Sequence, residues 1–138
     1  MSHSLVSNRI HIIFGTDGRK NTIPAERRTE VWAYMLGIGQ NLEIPVIAVG
    51  GMSDHAHLLI ALPPTMTLAS AVQKFKANTS RFLGKRFEWQ EGYAAYSVSA
   101  SSIVATIEYI RKQEKHHSKR NFEQELREFA RKNGIEIN

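Results

Sequence analysis

An α+β fold, with an antiparallel sheet and two helices packed on one face, is predicted by three observations. Segments of alternating and helical periodicity follow the order strand, helix, strand, strand, helix, strand. The run "IPVIAVGGMSDHAHLLIAL" holds a Gly-Gly turn between two apolar stretches, which reads as a hairpin. After the fourth strand the chain continues into further helical segments, so helices are available beyond the two that such a sheet requires.

Each element has a local reason. In "SNRIHIIF", Ile10, Ile12 and Phe14 fall on one side of a first strand and Arg9, His11 and Ile13 on the other. "GTDGRKNTIP" is turn chemistry, and Pro24 suits the first turn of a helix running to about Leu42. Thr67 can cap a second helix, from Leu68 to about Arg86. "AAYSVS" is a short strand, and a serine-rich junction leads to a third helix from Ile103 to about His116. "NFEQELREFARKNGIEIN" is a final amphipathic helix that ends near Gly134. The order is that of a ferredoxin-like (RRM-like) sheet with helices on one face and an added helix carrying Tyr109.

A chain of 138 residues can bury a core as one domain, and 42% apolar with 22% charged residues suits a globular protein. Cysteine is absent, which excludes disulfides and thiolate zinc sites and fits a reducing compartment. With no signal-peptide pattern and no apolar run long enough to span a bilayer, the expected location is cytoplasmic, without a membrane partner. The net charge of +5 points to a polyanionic partner, nucleic acid first.

The chemistry gathers at "SDHAHLLI". Alternation puts His55 and His57 on one face of the strand, ~7 Å apart along it, with Ala56, Leu58 and Ile60 on the core face. Two imidazoles so placed can share one divalent metal, or can simply be packed sheet residues. Asp54 could orient an imidazole, although an exposed turn aspartate is the expectation. In the third helix Ile103, Val104, Ile107 and Ile110 form the apolar stripe, whereas Tyr109 and Gln113 lie four residues apart on a face roughly opposite. His116 falls on the side of Tyr109, and His117 follows it. Two histidines, an amide oxygen from Gln113 and open positions would suit Mg²⁺ or Mn²⁺. Tyr109 beside such a metal could attack a phosphodiester, provided a base or the metal site draws off its proton.

The second helix carries Lys74, Asn78, Arg81 and Lys85 within a narrow arc, away from Leu68, Val72, Phe75 and Phe82. That arc could track a phosphate backbone, or be a solvated helix face. Trp89, Tyr93 and Tyr96 could stack on unpaired bases, with Tyr96 better placed as a core residue.

"DHAHLLI", "WQEGYAAYSVS", "IEYIRKQEKHH" and "FEQELREF", in that order, resemble the single-tyrosine HUH transposases of small insertion sequences, the TnpA-type or IS200-like family. The resemblance covers most of the chain, and the whole of 1–138 is then expected to be one catalytic domain. It implies that His55 and His57 are the metal-binding pair, with Ala56 in the usually hydrophobic middle position. It likewise implies Tyr109 as the nucleophile and Gln113 as the third ligand of Mg²⁺ or Mn²⁺. Proteins of this kind cut single-stranded DNA at hairpin-bearing element ends through a 5′-phosphotyrosine link and a free 3′-hydroxyl. They are expected as homodimers in which the tyrosine helix can cross to the partner. A non-catalytic single-stranded nucleic-acid-binding module is the alternative, and a metal-dependent hydrolase using water is a third reading.

Overall fold

The computed structural model describes residues 5–117 and 120–136. Strands β1 (Arg9–Gly15), β2 (Val46–Gly51), β3 (His55–Ala61) and β4 (Ala94–Ser97) form one sheet in the order β2-β3-β1-β4. All pairs are antiparallel. Helices α1 (Arg28–Leu42) and α2 (Leu68–Leu83) complete the β-α-β-β-α-β core, followed by α3 (Ile103–Arg111), α4 (Gln113–His117) and α5 (Phe122–Lys132). This is the ferredoxin-like topology that the periodicity predicts.

One face of the sheet is apolar throughout. Ile10, Ile12 and Phe14 of β1 and Ala56, Leu58 and Ile60 of β3 pack with Val31, Met35 and Ile38 of α1 and Ala71, Val72 and Phe75 of α2. Each large side chain fully buried there stabilises the fold by about 1.5–3 kcal/mol. Trp89 joins this core edge-on against Phe14, and its indole N–H donates to Thr79 Oγ1 at 3.0 Å, so it is not a platform for bases.

Alternation sends His11 and Ile13 of β1, His55, His57 and Leu59 of β3, and Tyr96 of β4 to the opposite face. Helices α3 and α5 cover it. Ile110 packs with Ala48 and Leu59, joined by Ile103 and Ile107, while Phe122, Leu126 and Phe129 of α5 pack with Ile13 and Tyr96. Tyr96 is therefore core, as expected, and Tyr93 is exposed.

Several boundaries differ from the sequence reading, each for a local reason. Ile23 is buried and its N–H bonds to Ser53 O at 2.9 Å, which keeps the chain extended through Pro24. A 3-10 turn over Ala25–Arg27 follows, and the α-helix starts only at Arg28. Thr67 caps α2 as predicted, accepting from Ser70 N, but Gly84 at φ 112° ends it at Leu83. Val104 is 69% exposed, so the inward stripe of α3 is the buried Ile110 with the partly buried Ile103 and Ile107, without it. The long third helix is interrupted at Lys112, whose φ of −105° and ψ of 32° are not helical. There the Tyr109 carbonyl accepts from both Lys112 N and Gln113 Nε2.

Candidate metal centre

The histidine face converges on one carboxylate. His55 and His57 project from β3, Gln113 begins α4, and Glu125 lies in the first turns of α5. His57 Nε2 is 3.1 Å from Glu125 Oε1, and His55 Nε2 and His117 Nε2 are each 3.2 Å from the same oxygen. Gln113 Oε1 accepts from His55 Nε2 at 3.0 Å. The second oxygen, Glu125 Oε2, accepts from the Tyr109 hydroxyl and, at 3.3 Å, from Gln113 Nε2. Arg120 donates to the Tyr109 hydroxyl at 2.6 Å. One carboxylate thus touches the histidines with one oxygen and the tyrosine with the other.

Local sequence explains how these groups meet. Gly50 lies opposite His57 on β2, and a Cβ there would sit 2.3 Å from the Ile110 carbonyl, so only glycine lets the end of α3 come down beside His57. Gly15 lies opposite His55 on β1, where a Cβ would be 2.9 Å from the Phe122 ring. Phe122 instead stacks on His55, with ring centroids 4.1 Å apart. Asn121 starts α5 with a capping box shared with Gln124, which fixes the turn that carries Glu125.

The remaining ring nitrogens are also held. Asp54 Oδ1 accepts from His55 Nδ1 at 2.7 Å, and His57 Nδ1 lies 2.8 Å from His11 Nε2. Asp54 is therefore an orienting partner of an imidazole, not the exposed turn residue expected from the sequence. Burial opposes ionisation of Asp54, but the His55 hydrogen bond and charge, a backbone hydrogen bond and the charge of His117 together outweigh it and hold the carboxyl below its usual range. Burial likewise disfavours charged His55, yet Asp54 and Glu125 overcome it and push the imidazole up to about 9. His57 is held below its ordinary value by burial, against the pull of Glu125. His11 falls to about 3 through burial and the neighbouring His57. Although burial opposes the Glu125 charge, hydrogen bonds from His117, His55 and His57 hold its carboxyl far below the usual range. Burial and the Glu125 carboxylate raise the Tyr109 phenol, with Arg120 acting in the other direction.

His55, His57 and Glu125 offer ligand atoms that all lie within 4.8 Å of one another. With the Gln113 oxygen adjacent, the donor set is two imidazole nitrogens and two oxygens, with no sulfur, which fits a hard divalent cation.

The structure brings together Tyr109, His55, His57 and Gln113, and adds Glu125, His117, Arg120 and His11. The side chain of His116 lies outside the described residues. Lys74, Asn78 and Arg81 do not join the cluster, because α2 covers the opposite face of the sheet. Lys85 lies beyond the end of α2 and so leaves the helical arc in which the sequence placed it. Glu125 had a signal: it falls within the apolar stripe formed by Phe122, Leu126 and Phe129, where an exposed carboxylate does not belong.

These features define an α+β protein with a candidate metal centre of the histidine–hydrophobic–histidine kind on the second face of a ferredoxin-like sheet. The chain belongs to the IS200-like transposase family, whose model matches residues 4–113. It is 23% identical over 87 residues to transposases for insertion sequence element IS200 from Salmonella typhimurium and Salmonella typhi. Those matches cover 63% of this chain and 57% of each relative, so the chain spans less than two thirds of their length. A crystal structure of a candidate transposase from Deinococcus radiodurans R1 is similar at a TM-score of 0.66 and 18% identity, covering 82% of this chain and 95% of that one. A REP-associated tyrosine transposase, solved bound to a REP hairpin, is similar at a TM-score of 0.65 and 12% identity, covering 85% and 72%. Among the described residues no helix is long and apolar enough to cross a membrane. The family match ends at Gln113, so Glu125 and the rest of α5 lie beyond it.

Proposed function

We propose that this chain is a metal-dependent transposase that cuts and rejoins single-stranded DNA through a 5′-phosphotyrosine intermediate on Tyr109. The observation that carries this reading is the bridging of Glu125, which contacts the paired histidines and the tyrosine hydroxyl at once. His55, His57 and Glu125 would hold a divalent cation, Mg²⁺ or Mn²⁺, with Gln113 supplying a further oxygen. When bound, that cation supplies Lewis-acid polarisation of the scissile phosphodiester, worth several kcal/mol of barrier.

The chain's own groups supply the rest. Glu125 Oε2 accepts the hydrogen bond of the Tyr109 hydroxyl and so aims its oxygen, and Arg120 offsets negative charge on that oxygen as it forms. Tyr109 attacks phosphorus as its phenolic proton passes to solvent, the P–O bond to the 3′ oxygen breaks, that oxygen takes up a proton from water, and a 5′-phosphotyrosine and a 3′-hydroxyl result. Attack of a 3′-hydroxyl on that link reverses the exchange and frees Tyr109, so strands rejoin without an external energy source. Tyr109 also lines a pocket of about 200 Å³ together with Arg120, Phe129 and Lys132, through which a strand can approach it. His55, His57 and Glu125 have no exposed surface, so full contact with a phosphate requires α5 to shift.

Hairpin-bearing DNA ends are the proposed substrate, a reading supported by family membership and by the hairpin held by the similar REP-associated protein. Lys74, Asn78, Arg81 and Lys85 would then grip DNA away from the chemistry. The homodimer is proposed on family membership alone. Within one chain Tyr109 lies edge-on to His57, with ring centroids 5.9 Å apart.

The test is a covalent adduct. Protein incubated with Mn²⁺ and a hairpin-bearing single strand should give a species that survives denaturing electrophoresis, and Tyr109→Phe should abolish it. Persistence of the adduct in that variant overturns the nucleophile assignment. Cleavage without any adduct favours water as nucleophile, and metal-independent binding without cleavage favours a binding module.

A further inference from the structure

A second cavity, of about 510 Å³, opens between the start of α1, the end of β2 and the α3–α4 junction. Its size is that of a ligand pocket, about 300–1,000 Å³. Arg28, Arg111, Lys112 and Lys115 line it, against a single carboxylate, Glu114, and the half-buried indole of Trp32 forms another part of the wall. Gln113 also lines it, and the same side chain contacts His55, so the cavity abuts the candidate metal centre. Arg28 is only partly satisfied. Its Nη1 pairs with Glu114 Oε1 at 3.1 Å, whereas its Nε is the one buried side-chain nitrogen or oxygen without a hydrogen-bond partner among the described residues. A buried guanidinium N–H without an acceptor costs free energy unless a ligand supplies one.

We infer that this cavity is a subsite for single-stranded DNA, in which Arg28 and Lys112 hold backbone phosphates and Trp32 supports a base. The chemistry is that of single-strand recognition, a cationic groove for the backbone beside an aromatic ring for a base. The nearness of Gln113 places the bound nucleotides next to the step being cut. The assignment of DNA as the nucleic acid rests on the function proposed above, while the cationic, Trp-walled cavity does not. Phosphate held at Arg28 would compete with Glu114, which makes that carboxylate an opposing element.

The experiment is fluorescence anisotropy of a labelled eight-nucleotide oligothymidylate, titrated in chelator so that no cleavage occurs, from low to moderate salt. Arg28→Gln and Lys112→Gln should each weaken binding and reduce the slope of log affinity against log salt by about 0.7. Glu114→Gln, which keeps both cations and removes the competing carboxylate, should tighten binding, a gain that a misfolded variant cannot imitate. The protein has two tryptophans, so 5-fluorotryptophan labelling gives two ¹⁹F resonances, assigned with Trp89→Phe. The oligonucleotide should shift the Trp32 resonance and leave that of Trp89 in place.

Unchanged affinity and salt slope in both cation variants, or an unmoved Trp32 resonance, overturns the subsite. An equal Trp32 shift with inorganic phosphate reduces the cavity to an anion site and overturns it as well. If wild-type protein forms the Tyr109 adduct while the cation variants bind as wild type, the subsite alone fails. If the cavity binds the oligonucleotide as described but no adduct forms on any hairpin substrate, the subsite stands and the transferase reading fails.

Discussion

The two faces of the sheet are buried to a similar depth and made for different purposes. On one, Leu58, Ile60 and Ile12 meet α1 and α2 through apolar contact alone. On the other, His57, His55 and His11 come from the same two strands, one residue out of phase, and meet Glu125 and Tyr109. Burying apolar groups stabilises the fold whatever their exact partners, whereas buried ionisable groups are costly unless each finds a partner of the right charge. Neighbouring residues on β3 should therefore fail in different ways when altered.

The widest separation is between His57→Ala and Leu58→Ala. The first should remove metal-dependent adduct formation by a hundredfold or more, on the order of the several kcal/mol a bound metal supplies. The second should cost about 2–5 kcal/mol of stability and leave the rate per folded molecule near wild type. Denaturant melts and adduct rates measured on both variants would break the comparison if His57→Ala proved chemically silent or Leu58→Ala chemically dead.

Gly50→Ala sharpens it further. The new Cβ would press on the Ile110 carbonyl, which costs about 1–3 kcal/mol by overpacking. Because Tyr109 precedes Ile110, adduct formation should fall by more than the stability loss explains. A matched loss in both readouts would mean that Gly50 serves packing only.

Protonation gives a smaller, graded effect. In the metal-free protein the His55 value is raised from 6.5 to about 9, so its contribution to stability is fully present below pH 6.5 and lost as pH rises through 9. A metal must displace that proton, so Mn²⁺ affinity should climb with pH, by at most about tenfold per unit, up to about 9. Calorimetry in two buffers of different ionisation enthalpy should detect proton release, and affinity that ignores pH would remove His55 from the ligand set.

The smallest effects belong to α2, on the other side of the sheet. Lys74→Gln and Arg81→Gln should weaken hairpin binding modestly and shift stability by no more than about 0.5 kcal/mol. The rate of the chemical step at saturating DNA should not change, and a change there would place these residues nearer the cluster than α2 allows.

The fold was legible because periodicity reports burial. Ala56, Leu58 and Ile60 alternate with His55 and His57, and the β-α-β-β-α-β order follows from such patterns and from Gly and Pro punctuation. The site was half legible. A histidine pair on one strand face and Tyr109 off the apolar stripe can be read in a single dimension. Glu125 could not be assigned so directly, since nothing local says which sheet face α5 will cover. Its position inside an apolar stripe was the available clue. Asp54 was misread because turn aspartates are commonly solvated, and only the geometry of Nδ1 distinguishes this one. The break at Lys112 went unseen because tertiary contacts of Gln113 set it, not a Gly or Pro.

The central claim is that the polar face of the sheet is a metal–tyrosine site, and a Mn²⁺ titration followed by electron paramagnetic resonance tests it most directly. Wild-type protein should remove one equivalent of free Mn²⁺ from the spectrum, and Glu125→Ala and His57→Ala should each abolish that uptake while remaining folded by circular dichroism. Uptake of Mn²⁺ by both variants at wild-type affinity would contradict it.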